Sequence, residues 1–241
     1  GIIYTAGSNE IGYLQPNKYG KPEYISLIDS LGFKDIGVVR SIIIIDKNIY
    51  FRSSEYLIRL NQNGFRYRKA KSTYSISFSY DKDLFIQDEE HGLYKVVNDS
   101  IILAPSGKDF IKKKFYFAQQ HNSEVILANR IKGLYTYNPD SKETDKLKHI
   151  VSDANQILIN DFIYSGIITK DDKIILGTNS GGCIIVNTAG VTLSRITKAT
   201  GLLQNKIHSL YIDKDDFLWM ALDKGISRCD YSGPISYWNE L

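Results

Sequence analysis

The chain has 241 residues, 43% hydrophobic, 24% charged and 12% aromatic, a balance that excludes disordered, collagenous and fibrous classes. Its 30 Lys and Arg against 27 Asp and Glu leave a net charge of +3, far from the dense basic surface that a nucleic-acid backbone demands, so no nucleic-acid partner is expected. Apolar runs such as residues 42–45 and 157–159 fall well short of the roughly 20 residues that cross a bilayer.

The chain starts at Gly1 without a basic stretch and apolar run, and its one methionine is Met220. This reads as an excised or processed segment. The two cysteines, Cys183 and Cys229, fit neither a disulfide-dense scaffold nor a zinc site, because no CxxC or HExxH occurs.

In chain order, residues 38–45, 74–80, 174–177, 207–212 and 235–238 are rich in Ile, Val, Tyr, Phe and Thr between Asp, Asn, Lys, Gly and Pro clusters, and read as strands. No i, i+3, i+4, i+7 spacing is sustained over a dozen residues; the best helical stretch, 152–159, is long enough for a single turn. The expected class is all-β.

A hairpin unit recurs at residues 3–14, 50–60, 84–96, 125–137, 167–181 and 205–230. With Gly12, Tyr56, Gly92, Gly133, Gly181 and Gly225 taken as equivalent turn positions, the separations are 44, 36, 41, 48 and 44. Their mean of about 43 falls in the 40–50 range of a four-stranded propeller blade. The expectation is a β-propeller region spanning residues 1–241 in six units, about 1–36, 37–72, 73–110, 111–154, 155–202 and 203–241. The first unit starts at its second strand and the last runs to its fourth at 235–238, which predicts an arc of a larger, seven-bladed or longer, propeller. Blades bury both faces, so Ile-Ile-Leu-Gly and Leu-Trp-Met-Ala read as core strands and Trp219 as an inter-blade packing residue.

Residues 201–230, GLLQNKIHSLYIDKDDFLWMALDKGISRCD, resemble the two-component regulator propeller repeat, roughly G-L-x-x-N-x-V-x-x-I-x-x-D-x-x-G-x-L-W-I-G-T-x-x-G-L-x-R-Y-D. Gly201, Leu202, Asn205, Asp213, Leu218, Trp219, Gly225, Arg228 and Asp230 match; Asp216 stands for the turn glycine and Leu222 for the Thr. The resemblance implies the periplasmic receiving end of a membrane-anchored regulator of the Bacteroidetes type. In that architecture a propeller precedes an Ig-like domain, a membrane helix and a histidine kinase or DNA-binding output, none of which this segment contains. Many such sensors respond to polysaccharide breakdown products.

No G-x-S-x-G elbow, P-loop or metal-spaced histidine pair is present. His91, His121 and His149 read as solvated side chains, and Asp171-Asp172 and Asp215-Asp216 as polar turns before a strand rather than a glycosidase carboxylate pair. Cys183 and Cys229 sit at different offsets in consecutive units and read as free thiols. The basic, aromatic stretches 65–71 and 112–117 read as solvated faces, or as sites for an anionic glycan.

Aligning the units on Asp46, Asp81, Asp171 and Asp213 places Arg40, Tyr74, Tyr164, Lys206 and His208 at the entrance formed by the innermost strands, with Lys114 beside them. These types combine stacking faces with hydrogen-bond donors, which suits sugars and carboxylates. The reading is a noncatalytic, periplasmic ligand sensor, needing no cofactor or metal, that binds a small molecule or oligosaccharide and acts as a homodimer. It reaches the membrane only through segments outside this chain. A propeller enzyme of the lyase or glycosidase kind, or a protein-interaction scaffold, is the alternative.

Overall fold

The Ile-, Val- and Tyr-rich segments pair as antiparallel strands in a computed structural model that describes residues 2–231. Among these residues 22 strands form six sheets, each hydrogen-bonded in sequence order as a meander. The chain divides into two compact units, Gly1–Lys114 and Phe115–Leu241.

The first unit holds three sheets. The first has three strands, β1 (Ile3–Gly7), β2 (Glu10–Pro16) and β3 (Pro22–Ser26). The second has four, β4 (Ser41–Ile45), β5 (Asn48–Arg52), β6 (Tyr56–Asn61) and β7 (Gly64–Lys69). The third has β8 (Tyr74–Tyr80), β9 (Asp83–Asp88), β10 (Gly92–Val97) and β11 (Ser100–Leu103).

The second unit begins with β12 (Phe115–His121), β13 (Glu124–Asn129), β14 (Gly133–Tyr137) and β15 (Leu147–His149). Its next sheet has β16 (Ile163–Ile168), β17 (Lys173–Thr178), β18 (Cys183–Asn187) and β19 (Thr192–Ile196). The last described sheet has β20 (Ile207–Ile212), β21 (Leu218–Leu222) and β22 (Gly225–Cys229), while the strand expected at 235–238 lies outside the described residues. The fold is thus all-β, made of propeller blades of four strands, some of three. The helical stretch expected at 152–159 is a single short helix, α1 (Asn155–Asn160).

The middle strand β17 is apolar over its centre because alternate residues enter different cores. On β17, Ile174 and Leu176 pack with Ile126, Ala128 and Leu134 of the preceding sheet. Ile175, between them, packs with Ile207, Leu218 and Met220 of the following one. All three are fully buried.

The same alternation corrects the reading of Trp219. On β21, Leu218, Met220 and Leu222 enter the core, so Trp219 faces the other way and is 36% exposed. Its indole Nε1 donates to Asp213 Oδ2 at 2.7 Å.

Turn chemistry follows the backbone. Asp46, Asp81, Asn122, Asp172 and Asp216 all adopt left-handed φ, between 50° and 63°, in the loop joining the first two strands of their sheets. Asp and Asn tolerate this conformation better than other non-glycine residues, which explains how Asp216 replaces a turn glycine. Two assumed turn glycines shift. In the fifth repeat the left-handed residue is Gly182 rather than Gly181, and Gly12 lies within β2, where Asn9 takes the turn. At Tyr56 no glycine is needed, because the Ser53 hydroxyl accepts from the amides of Glu55 and Tyr56.

Two stability effects are expected. Leu176→Ala should destabilise the fold by about 2–5 kcal/mol in denaturant titration, since it opens a cavity between two sheets. At exposed Asp46, Asp46→Val should cost about 1–2 kcal/mol, whereas Asp46→Gly should leave stability equal or higher.

Candidate functional site

The first strands of four consecutive sheets share an irregularity. Register shifts occur between Tyr74 and Ile76 on β8, Phe115 and Phe117 on β12, Ile163 and Ser165 on β16, and Ile207 and Ser209 on β20. Each leaves one residue without a cross-strand partner: Ser75, Tyr116, Tyr164 and His208. A bulge bends the strand and re-aims the extra side chain. β4 pairs with β5 without such a shift, Ser41 lying opposite Arg52.

In the second unit the three bulge residues join one cluster. The Arg130 guanidinium, just past β13, lies 3.8 Å from the ring centroid of Tyr116, 5.6 Å from that of Phe162 and 5.9 Å from that of Tyr164. Its Nε donates to the Ile163 carbonyl at 3.0 Å, which fixes the fork in place. Tyr164 meets His208 edge to face, with centroids 5.8 Å apart at 86°. His208 Nε2 hydrogen-bonds Asp223 Oδ1, and Lys206 Nζ reaches the same oxygen at 3.0 Å. The hydrogen bond from His208, and then that from Lys206, hold the Asp223 carboxyl below its usual range.

Phe162 is 49% exposed and left-handed, with φ of 56°. For a bulky residue this backbone is strained by about 1–2 kcal/mol. The cluster therefore offers exposed aromatic faces, two cations, an imidazole and a carboxylate. Rings stack on apolar faces of a ligand, and the flanking groups donate or accept hydrogen bonds.

The structure brings Tyr164, Lys206 and His208 together, as three of the six residues expected at a binding entrance. Arg40, Tyr74 and Lys114 belong to the first unit. Arg40 is exposed, and its amide donates to the Arg52 carbonyl at 2.8 Å. Lys114 pairs with Glu89 at 2.6 Å. Tyr74 is only 1% exposed, packed with Leu57, Leu84 and Ile86, and burial pushes its hydroxyl pKa up to about 12.

Sequence reasoning missed Arg130, Phe162 and Asp223, and reached Tyr116 only as part of the basic, aromatic stretch 112–117. Tyr116 had a usable signal, since it is the second residue of its strand, as Tyr164 and His208 are of theirs. Arg130 and Asp223 read as ordinary turn residues; strand pairing within their own sheets brings Arg130 to Tyr116 and Asp223 to His208, and the neighbouring sheet then brings Tyr164 to both Arg130 and His208.

Among the other histidines, the solvated reading fails for His121, whose side chain is 10% exposed and pairs with Asp172 at 3.2 Å. His91 Nδ1 lies 2.8 Å from Asp88, which also accepts from the amides of Lys71 and Ser72. Both cysteines are free, and Cys183 Sγ sits 3.7 Å from Met220 Sδ in the core. No cluster of three His, Cys, Asp or Glu able to hold a metal occurs among the described residues. No helix among them is long and apolar enough to cross a membrane.

The family described as two component regulator propeller matches residues 201–224. No curated protein sequence matches the chain. Among solved structures, the extracellular domain of a protein described as a hybrid two component system from B. thetaiotaomicron is similar, with a TM-score of 0.68 and 15% identity over 94% of this chain. The chain spans 31% of that domain. The WD40 β-propeller domain of Doa1 is equally similar in fold, with a TM-score of 0.68 and 12% identity, over 94% of this chain and 74% of that one. PorZ, a surface component of the type-IX secretion system of Porphyromonas gingivalis, follows with a TM-score of 0.64 and 13% identity, over 95% of this chain and 38% of that one. At such identities the likeness establishes the β-propeller fold, and the sequence match identifies residues 201–224 as a two component regulator propeller repeat.

Proposed function

We propose that this chain is the extracytoplasmic, ligand-sensing part of a two-component regulator, and that the Tyr116, Phe162, Tyr164, His208 cluster receives the ligand, an oligosaccharide or its breakdown product. The observation that carries this reading is the convergence of three bulge side chains from consecutive sheets around Arg130 and Asp223. Aromatic faces edged by charged hydrogen-bonding groups suit a sugar ring, which has apolar faces and a hydroxyl rim. The matched repeat and the fold of the B. thetaiotaomicron extracellular domain support a sensor role and a periplasmic setting. A noncatalytic role accords with the matched repeat and with the likeness in fold to the B. thetaiotaomicron extracellular domain. Ligand binding would signal by shifting the equilibrium between two arrangements of a homodimer, to the extent that the ligand's affinity for them differs.

Thermal melting against a panel of neutral and acidic oligosaccharides tests this. A cognate ligand at about 100 times its Kd should stabilise the protein by about 2.7 kcal/mol. Tyr164→Ala and Arg130→Ala should each weaken binding by about tenfold or more. A panel without any shift, or shifts retained in both variants, would remove the cluster from the ligand site.

A pH effect checks the electrostatics independently. The folded-state pKa of Asp223 is depressed, so its stabilising contribution is complete above the ordinary carboxylate pKa and is lost as pH falls through the depressed value. In His208→Ala the Asp223 carboxyl should titrate closer to its ordinary value, as read by carboxyl-carbon NMR.

A further inference from the structure

In the first unit an arginine is buried without an opposing charge. Arg52, the last residue of β5, is 7% exposed. Its Nε donates to the hydroxyls of Ser41 and Ser77, both at 3.2 Å, and Nη1 donates to the Tyr74 carbonyl at 3.3 Å. Those two hydroxyls also bond each other at 2.8 Å, linking β4 to β8.

A guanidinium carries five N–H donors. The serines and the carbonyl engage the Nε proton and one on Nη1, leaving the second Nη1 proton and both on Nη2 without an acceptor among the described residues. Burial, and then the neighbouring cation Arg40, lower the pKa of Arg52 to about 10, and among the described residues no carboxylate opposes it. Arg40 itself is exposed at the head of β4. At the start of β8, the buried Ser75 hydroxyl has no hydrogen-bond partner among the described residues.

A desolvated cation beside a second cation is costly unless an anion compensates it. The neutral oxygens around Arg52 fix the fork by its Nε edge and leave its other edge to a visitor. We propose that Arg40 and Arg52 form an anion site that takes the carboxylate of a small organic acid or acidic sugar. A planar carboxylate matches the free edge of the guanidinium through two parallel N–H···O bonds. The half-buried Ser41 and Ser77 hydroxyls hold the fork rigid, so little side-chain entropy is lost on binding.

The test compares melting temperatures in acetate and in D-glucuronate with those in chloride at equal ionic strength, for the whole chain and its variants. The wild type should melt higher in either carboxylate, rising with the logarithm of its concentration. Arg52→Met should abolish the response, and Arg40→Ala, at an exposed position that leaves the fold intact, should raise the half-maximal concentration about tenfold. Tyr164→Ala should leave the response unchanged, so this site and the aromatic cluster can fail separately. Equal melting in carboxylate and chloride, a half-maximal concentration unchanged in Arg40→Ala, or a rise with sulfate and phosphate but with neither carboxylate, would overturn the proposal.

Discussion

Burial of both faces of a β-sheet is the constraint from which the rest of this structure follows. A four-stranded meander standing alone exposes two apolar faces, and its strands are too short to supply a core of their own. On β17 the residues pointing each way, Ile174 and Leu176 on one side and Ile175 on the other, are all fully buried, so each sheet's stability is shared with the sheets beside it. Burying one such side chain contributes about 1.5–3 kcal/mol. The cores therefore couple neighbouring sheets more strongly than any surface ion pair, which contributes about 0–1 kcal/mol.

That constraint fixes where polar chemistry can stand. Strand interiors are committed to cores, so functional groups gather at strand ends and in loops. The bulges on β8, β12, β16 and β20 fall at the first residues of those strands, where one extra residue turns a side chain out of the pleat without disturbing the buried alternation beyond it. Ser75, Tyr116, Tyr164 and His208 thus share a backbone position while differing in chemistry. A repeated scaffold can diversify its site one residue per sheet in this way, while its cores remain nearly uniform.

Charge is handled differently in the two units. Around His208 the cations Lys206 and Arg130 are balanced or stacked, the first on Asp223 and the second on tyrosine rings. Around Arg52 the neighbours are hydroxyls and a carbonyl, which orient the guanidinium without neutralising it. Both arrangements leave hydrogen-bonding capacity beside the starts of first strands.

Much of the fold was legible along the chain, because it rests on local rules. Strand segments, hairpin turns at Asp and Gly, the period near 43 and the repeat at residues 201–224 follow from residue type and spacing. Errors arose where one residue of register mattered. Trp219 was assigned to the core although the period of two turns it away from the preceding sheet, and Gly12 was taken for a turn that Asn9 makes. The site was half legible: Tyr164 and Lys206 lie seven residues before their aligned Asp and His208 five, but strand pairing brings Asp223 to His208 and the approach of the next sheet brings Tyr164 to Arg130. By itself the sequence determined strand identity, turn chemistry and the repeat, since these depend on contacts within a few residues. Which side chains leave the pleat, and which charges meet or stay unopposed, was decided by the tertiary structure, because those contacts join residues on different strands, and some of them on different sheets.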